Sequence, residues 1–317
     1  MTEVYRLDQI EDILNQIDVV SAIEEGFVSY SQGKAVIPPV GELLFDDPPG
    51  DAHIKYGYIK DDDYYVIKIA SGFYQNIDLG ISPSNGVMLL FSQKTGELIS
   101  ILLDEGHLTN IRTAAAGAVA AKHLAPAKIE KIGVFGAGIQ GQLQVKYLQS
   151  VCTCKNIKVW GVNQKELERY QQTMESEGYH VETTESAAEI AETCNLIITA
   201  TPSKTPLLTK DQIRKGTHIT AMGADTPEKN ELDPAIIQSA DIVVADSIAQ
   251  CTERGEIHQS FCRNLVQKDQ ILELGSVIAS PSLGRSADDQ ITIADLTGVA
   301  VQDIQITKKV YEGLSSK

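Results

Sequence analysis

Basic residues are scarce in this sequence. Its 317 residues include 27 Lys and Arg against 43 Asp and Glu, which gives a formal net charge of −16. Binding to nucleic acid or to an anionic membrane surface needs a positive field, so neither partner is expected. A small anion held in a local basic pocket remains compatible with this charge.

Long apolar runs are also missing. No run approaches the roughly 20 residues of a membrane helix, and the start, MTEVYRLDQIEDIL, lacks the basic-then-apolar form of a signal peptide. A cytoplasmic protein is therefore expected. With 43% hydrophobic and 22% charged residues, the composition is that of a globular protein long enough for two domains.

Cysteine and histidine are few and badly spaced for metal or disulfide chemistry. The six histidines show neither H-x-x-x-H nor H-x-H spacing, so a metal site and a histidine-based triad are not expected. The five cysteines form no plausible disulfide framework and are expected to be free thiols. They are Cys152, Cys154, Cys194, Cys251 and Cys262.

Short apolar runs alternate with helical segments from Lys131 onward. This alternation is typical of βαβ units and predicts a doubly wound parallel sheet of the α/β class. The runs are Ile132–Phe135, Ile157–Trp160, Leu196–Thr199, His218–Met222 and Ile242–Ala245.

The residues before this part have a different pattern. One amphipathic helix is predicted over residues 7–32, followed by a mostly antiparallel sheet and an alanine-rich helix from Thr109 to Leu124. A strand and a helix at the C-terminus come after the parallel sheet should be complete. We therefore predict an α+β domain of residues 1–124 and 292–317, with a Rossmann domain of residues 125–291 inserted in it.

The glycine-rich stretch after Ile132–Phe135 is the first functional signal. Its G-x-G-x-x-G pattern is formed by Gly136, Gly138 and Gly141, between a predicted strand and a predicted helix. The glycines permit a tight turn, close approach to a diphosphate and packing of helix on strand, and the helix N-terminus favours the anion. A dinucleotide site is predicted here, with the alternative of a plain tight turn.

The ribose end of that site lacks the usual selector. The acid that binds the ribose of NAD stands about 20 residues past the glycines, but here Gly161-Val162-Asn163 follow Trp160. Asn163 is a candidate for a hydroxyl hydrogen bond. The choice between NADH and NADPH stays open.

Two further turns are expected at the carboxyl ends of parallel strands, where ligands bind. Thr201 follows one strand, and Met222, Gly223 and Asp225 follow the next. Asp225 is a candidate general acid or base. The alternatives are a proline-stopped loop around Thr201 and a turn-capping role for Asp225.

Three cations stand in unusual places. Lys68 interrupts an apolar strand, Lys55 lies in an earlier strand, and Arg112 is predicted in the first turn of a helix, where the dipole disfavours a cation. Each could hold an anionic ligand. The alternatives are solvent-facing lysines and a salt bridge from Arg112 to Asp104 or Glu105.

With these residues, the chain resembles the ornithine cyclodeaminase/mu-crystallin family. The resemblance covers nearly the whole chain, and the most specific motif is Leu-Thr-x-x-Arg-Thr-Ala before the alanine-rich helix. The motifs are Val36-Ile-Pro-Pro39, Val66-Ile-Lys-Ile-Ala-Ser-Gly72 with Asn76, Thr95-Gly-Glu97, Leu108-Thr-Asn-Ile-Arg-Thr-Ala114, Gly136-Ala-Gly-Ile-Gln140, Gly223-Ala-Asp225 through Glu231-Leu-Asp233, and Gly298-Val-Ala-Val-Gln-Asp303.

The resemblance implies a homodimer formed through substrate domains, each carrying a Rossmann domain. It implies that Lys68 and Arg112 bind the substrate carboxylate and that Asp225 is the acid/base group, with Lys68 a second catalytic candidate. The implied cofactor ligands are Ser84 near the nicotinamide and Gly136, Ala137, Gly138, Ile139 and Gln140 at the diphosphate. Further candidate cofactor ligands are Arg112, Asn163, Thr201, Met222 and Gly223.

Two departures favour reduction over cyclodeamination. The resemblance implies an arginine after the Pro-Pro pair and a glutamate thirteen residues before the strand lysine, but here these are Val40 and Lys55. The nearest activity is then the NADPH- or NADH-dependent reduction of Δ1-pyrroline-2-carboxylate to L-proline, and of Δ1-piperideine-2-carboxylate to L-pipecolate. The alternatives are ornithine cyclodeaminase, an alanine-type dehydrogenase, and a non-catalytic ligand-binding protein.

Overall fold

The computed structural model describes residues 2–316, apart from the side chain of Tyr74. The chain divides into a first unit, Met1–Thr113 with Val299–Lys317, and a second unit, Ala114–Gly298. Among the described residues, no helix is long and apolar enough to cross a membrane. Within the same range, no group of His, Cys, Asp and Glu side chains is arranged to hold a metal ion.

Strands and helices are numbered in chain order. The strands are β1 (Glu3–Arg6), β2 (Ala35–Val36), β3 (Gly41–Asp46), β4 (Pro49–Ile59), β5 (Tyr64–Gly72), β6 (Ser84–Ser92), β7 (Leu98–Leu103), β8 (Ile132–Phe135), β9 (Asn156–Trp160), β10 (His180–Thr184), β11 (Leu196–Thr199), β12 (His218–Ala221), β13 (Ile242–Ala245), β14 (Ile271–Glu273) and β15 (Thr292–Asp295). The α-helices are α1 (Leu7–Leu14), α2 (Val19–Ser31), α3 (His107–Leu124), α4 (Ile139–Tyr147), α5 (Gln164–Ser176), α6 (Ala187–Thr193), α7 (Pro234–Ser239), α8 (Ile248–Cys251), α9 (Glu256–Cys262), α10 (Leu274–Ala279) and α11 (Val301–Ser315).

The first unit is a sheet covered on one face by helices. Its strands run in the order β1-β7-β6-β5-β4-β2, with β3 also paired to β4, and only the β1–β7 pair among those described is parallel. Successive side chains of a strand point to opposite faces. On β5 and β6 this alternation buries Val66, Lys68, Met88 and Leu90 under α11, which also packs on α2. The buried lysine is therefore a consequence of strand geometry.

Two helices stand where one was predicted over residues 7–32. The first ends at Leu14 and the second begins at Val19. Asp18 caps the second helix, since its carboxylate accepts a 3.0 Å hydrogen bond from the backbone N–H of Ser21. A capping side chain satisfies donors that a helix N-terminus leaves free, so it favours a new start at this point.

The second unit contains an eight-stranded sheet in the order β10-β9-β8-β11-β12-β15-β13-β14, and all of its pairs are parallel. Strands β8, β11 and β12 are buried throughout. Parallel strands are covered by helices on both faces, which explains their uninterrupted apolar runs. The predicted α/β class with a doubly wound parallel sheet is confirmed.

The unit boundaries differ from the predicted ones. The predicted joints were 124/125 and 291/292, whereas the units meet at 113/114 and 298/299. β15 pairs with β12 and β13, so this C-terminal strand belongs to the parallel sheet and only α11 returns to the first unit. Likewise, residues 114–124 of α3 belong to the second unit, and Ala121 lies in the hydrophobic core of that unit.

Candidate active site

A buried ion cluster lies under the sheet of the first unit. Lys68 of β5 and Arg112 of α3 both approach Asp303 of α11, with Lys68 Nζ 3.6 Å and Arg112 Nε 3.1 Å from Asp303 Oδ1. Arg112 Nη1 donates a 2.9 Å hydrogen bond to Gln302 Oε1. The three charged residues are 2%, 5% and 1% exposed. The structure thus brings together the two predicted carboxylate ligands, and adds an acid between them.

The charges of this cluster are not matched by well-formed hydrogen bonds. The Arg112–Asp303 contact lacks hydrogen-bond alignment, and Asp303 Oδ2 has no hydrogen-bond partner among the described residues. Burial lowers the pKa of Lys68 to about 8, although Asp303 acts in the opposite direction. A buried ammonium with this pKa is poised both to attract an anion and to release a proton near neutral pH.

Arg112 occupies a different position from the predicted one. The carboxylate of Asp104 accepts a 2.9 Å hydrogen bond from Leu108 N–H, and α3 begins at His107, so Arg112 lies in its second turn. Its ion-pair partner is Asp303, not Asp104 or Glu105. The first-turn argument was therefore wrong. This partner lies 191 residues further along the chain (303 − 112), and its sequence signal was the Gly298–Asp303 motif.

The sheet register places a third cation, Lys55, next to Lys68. It lies directly opposite Lys68 on β4 and is half-buried. Such opposed residues have Cβ atoms about 5 Å apart, and like charges there repel unless an anion lies between them. His53, two residues along on the same face, has ring nitrogens 3.4 Å from Glu42 and from Asp51.

Ser84 is not part of this cluster. It pairs with Gly72 at the start of β6, four residues from the Lys68–Met88 pair. At a rise of about 3.3 Å per residue this separates it from Lys68 by about 13 Å along the strand. Its predicted role beside the nicotinamide stays a prediction.

A cavity of about 600 Å³ in the second unit surrounds the glycine-rich turn. Gly136 has φ of +107°, and a Cβ there would lie 2.7 Å from the carbonyl oxygen of Ala200. A Cβ on Gly138 would meet no described atom within 4 Å, so its backbone is open to a ligand. Ala137 and Gly138 line the cavity, and Ile139 and Gln140 begin α4. These features fit a dinucleotide diphosphate.

The ribose end contains an acid that sequence reasoning missed. Asn163 caps α5 by accepting a 3.0 Å hydrogen bond from Lys165 N–H, and its amide lies 3.4 Å from Glu166 Oε1. Glu166 lines the cavity with Val162, and none of the described residues that line it is Lys or Arg. Glu166 stands three residues beyond the expected position, in the first turn of the helix, which is why a fixed spacing did not find it.

The turns after β11 and β12 are joined by a buried acid, Glu231. Its carboxylate accepts hydrogen bonds from Thr201 N–H and Oγ1, both at 2.7 Å, and from Gly223 N–H at 3.0 Å. The Thr201 hydroxyl therefore already donates its proton within the protein. Met222 is buried, whereas Asp225 is exposed and lies 2.6 Å from Lys229 Nζ. The structure thus places Thr201 and Gly223 together and leaves Asp225 at the surface of this unit.

Comparison with known proteins agrees with this architecture. A sequence model of the ornithine cyclodeaminase/mu-crystallin family matches residues 2–317. The chain belongs to this family. An uncharacterized cyclodeaminase of Sinorhizobium fredii is 38% identical over 93% of this chain and 90% of its own length. The predicted family and fold class are confirmed.

Two solved structures of family members are similar over almost the whole chain. An archaeal alanine dehydrogenase dimer with bound NAD has a TM-score of 0.90 and 32% identity, with 99% of this chain and 96% of that chain covered. The Δ1-pyrroline-2-carboxylate reductase of Thermococcus litoralis, in complex with NADH and L-proline, has a TM-score of 0.91 and 25% identity, with 99% and 98% covered. The predicted nicotinamide dinucleotide agrees with the ligands of both relatives.

Proposed function

We propose that this protein reduces α-imino carboxylates with NADH or NADPH, and that Δ1-pyrroline-2-carboxylate, which gives L-proline, is a substrate. The observation that carries the proposal is the buried cluster of Lys68, Arg112 and Asp303. Two cations beside one carboxylate leave a net positive charge for an anionic ligand. The larger ring of Δ1-piperideine-2-carboxylate, which gives L-pipecolate, presents the same imine and carboxylate.

Each residue of the cluster has a distinct role in this proposal. Arg112 binds the substrate carboxylate through its guanidinium, a charge-assisted contact. Lys68 contributes to the same clamp and donates a proton to the imine nitrogen, for which a pKa of about 8 is suitable. Asp303 holds both cations in place. Asp225 is the second candidate for the proton donor.

The dinucleotide is bound by the turn from Gly136 to Gly141 and the first turn of α4. When bound, the reduced nicotinamide supplies the hydride that the imine carbon accepts. Glu166 at the cavity favours NADH, because its carboxylate accepts hydrogen bonds from ribose hydroxyls and repels the extra phosphate of NADPH. The sequence left this choice open, and Glu166 supports NADH as the preferred cofactor.

Steady-state oxidation of NADH with Δ1-pyrroline-2-carboxylate tests the proposal, with NADPH and the six-membered imine measured in parallel. We expect turnover of the imine without added ammonia. Conversion of L-ornithine to proline and ammonia, with no added reduced cofactor and no imine turnover, would instead assign cyclodeamination. Lys55 and Val40 argue against that outcome, since neither supplies a base or an arginine at those positions.

A second candidate is reductive amination of a 2-keto acid, favoured by the likeness to the archaeal alanine dehydrogenase. Ammonia and a keto acid form an acyclic α-imino carboxylate, so the same clamp and the same hydride step would serve. NADH oxidation with pyruvate that requires ammonia would support this activity. The cyclic imine, measured without ammonia, separates the two.

We also propose a homodimer. Large apolar side chains lie exposed on the sheet face opposite the helices, and they are Leu43, Phe45, Tyr56, Tyr58 and Ile69. An exposed apolar patch of this kind marks an interaction surface. Light scattering should give twice the 34.4 kDa chain mass, and Ile69→Asp should shift it to one chain mass.

A further inference from the structure

A buried hydrogen-bond chain stands behind the wall of the dinucleotide cavity. It begins at Thr201, which lines the cavity, and passes to the fully buried carboxylate of Glu231. That carboxylate accepts from Thr201 N–H and Oγ1 through one oxygen, and from Gly223 N–H through the other. One side chain thus joins the turns after two neighbouring parallel strands, β11 and β12.

The two turns are in direct contact at this point. A Cβ on Gly223 would lie 2.6 Å from Thr201 N and would also meet the Thr201 carbonyl oxygen and the Glu231 carboxylate. Only glycine permits this approach. The Thr201 hydroxyl also accepts a 3.2 Å hydrogen bond from Ser203 N–H, another residue of the cavity wall. The geometry of the wall therefore depends on the position of the Glu231 carboxylate.

A second buried acid fixes the Glu231 segment itself. Glu256, the first residue of α9, accepts hydrogen bonds from Glu231 N–H at 2.7 Å, from Leu232 N–H at 3.0 Å and from Asn230 Nδ2 at 2.8 Å. Asn230 N–H in turn donates to the carbonyl oxygen of Ser203 at 2.8 Å. Hydrogen bonds therefore reach the cavity wall by two routes. One runs from Glu256 through Glu231 to Thr201, and the other runs from Glu256 through Asn230 to Ser203.

We propose that Glu231 is a positioning residue for the dinucleotide. It holds the Thr201 and Gly223 turns in the conformation that binds the part of the cofactor beyond the diphosphate, and Glu256 holds Glu231. In a doubly wound sheet this part of a dinucleotide lies over the second half of the strands, at their carboxyl ends. The inference rests on the proposed use of NADH but not on the identity of the imine.

Fluorescence titration of the full-length protein with NADH tests this directly, beside steady-state kinetics. Loss of hydrogen bonds to a charged group predicts that Glu231→Ala raises the Kd of NADH by about 10-fold or more. The KM of the imine, measured at saturating NADH, should stay unchanged. Glu231→Gln should give a smaller rise, because its amide oxygen still accepts from Thr201 while its NH₂ group opposes Gly223 N–H.

Asn195→Ala is the matched control. Asn195 precedes the same strand, β11, and its side chain ties the backbone of Lys128 and Glu130 at the opposite end of the sheet. A comparable loss of Tm with an unchanged Kd for NADH is expected there. This separates a positioning role from a general loss of stability.

An unchanged Kd for NADH in folded Glu231→Ala would overturn the proposal, as would equal weakening in Asn195→Ala. If Glu231→Ala does not fold, the Kd of NADH for Glu231→Gln and Thr201→Val tests the proposal in the same way, since each of these variants removes only some of the hydrogen bonds. Wild-type protein that binds NADH but reduces no imine would refute the proposed function while leaving this titration valid.

Discussion

In the first unit the buried carboxylate of Asp303 lies beside two cations, whereas in the second unit Glu231 and Glu256 accept hydrogen bonds almost entirely from backbone N–H groups and neutral side chains. Burial raises the pKa of Glu231 to about 7 and that of Glu256 to about 8, and their mutual repulsion adds to the latter. The first arrangement keeps positive charge available for a ligand. The second uses acids to shape the backbone.

This difference predicts opposite consequences of removing a charged group. In the first unit, substrate binding should be lost while the dinucleotide still binds. In the second unit, dinucleotide binding should weaken while the substrate clamp is intact.

Arg112→Met should have the largest effect. It removes the guanidinium of the clamp, so kcat/KM for the imine should fall by about 1,000-fold or more. Asp303 keeps Lys68 as its ion-pair partner but Gln302 loses the hydrogen bond from Arg112, so stability should fall by about 1–3 kcal/mol. The Kd of NADH should stay unchanged. Steady-state kinetics, urea denaturation and NADH titration measure these three quantities.

The double variant Arg112→Met, Asp303→Asn is the control for that experiment. Neutralising Asp303 as well restores the single net positive charge of the wild-type cluster but leaves the buried Lys68 without its carboxylate, so stability should not recover. Activity should stay low. Recovery of turnover in the double variant would show that Arg112 only balances charge and does not bind the substrate.

Lys68→Met should have the next largest effect, about 100-fold on kcat/KM, a typical contribution for a general acid. In the wild-type protein the ammonium is the active form, and its pKa of about 8 lies below the ordinary 10.5. Activity should therefore fall as the pH rises through about 8. Lys68→Arg keeps a cation to higher pH, so this decline should disappear from its pH profile. A decline that persists would assign the proton to another group, with Asp225→Asn the variant to measure next.

Rising pH should have the opposite effect on the contribution of Lys68 to stability from its effect on activity. Its pKa is lower in the folded protein than in the unfolded chain, so unfolding takes up a proton between pH about 8 and 10.5. The contribution of Lys68 to the free energy of unfolding therefore rises with pH in this range. The buried acids act the other way, because their pKa is higher in the folded protein than in the unfolded chain. Their contribution to the free energy of unfolding falls as the pH rises from 4.5 to about 7 for Glu231 and to about 8 for Glu256.

The sequence predicted the parts of this molecule that depend on local pattern. Strands β8, β9, β11, β12 and β13 were found because buried parallel strands read as apolar runs, and the cofactor turn because its glycines have fixed spacing. The contacts between the residues of the candidate active site could not be predicted in this way. Asp303 meets Lys68 and Arg112 only through folding of the C-terminal helix onto the N-terminal sheet, and no local rule connects residues so far apart.

Two acids show why motif reasoning stopped short. The sequence placed Glu231 in a family motif but did not predict its contacts, because they join turns that follow two separate strands. Glu166 lines the cavity because α5 begins immediately after Asn163. The acid therefore stands in the first turn of this helix and not at the end of the strand, where it is usually found. The position of β15 was misjudged for a related reason, since its place in the parallel sheet follows from pairing alone.

Lys55→Glu should have an intermediate effect on the clamp. It reverses a charge directly opposite Lys68, so the KM of the imine should rise by about 10-fold, the change that 1.4 kcal/mol produces. Lys60→Glu makes the same charge change at an exposed position just beyond β4 and should leave KM unchanged. Ammonia release from L-ornithine by Lys55→Glu would show that this position selects between deamination and reduction.

Glu166→Gln should have the smallest effect, confined to cofactor choice. Removing the carboxylate ends its repulsion of the extra phosphate of NADPH but keeps an amide at the cavity, so kcat/KM with NADPH relative to NADH should rise by about 3- to 10-fold. Glu168→Gln is the control, because Glu168 lies on the same helix and its carboxylate contacts Gln164. Equal selectivity in both variants would place the choice elsewhere in the second unit. A shift in Glu166→Gln with an unchanged KM for the imine would separate the selection of cofactor from the binding of substrate.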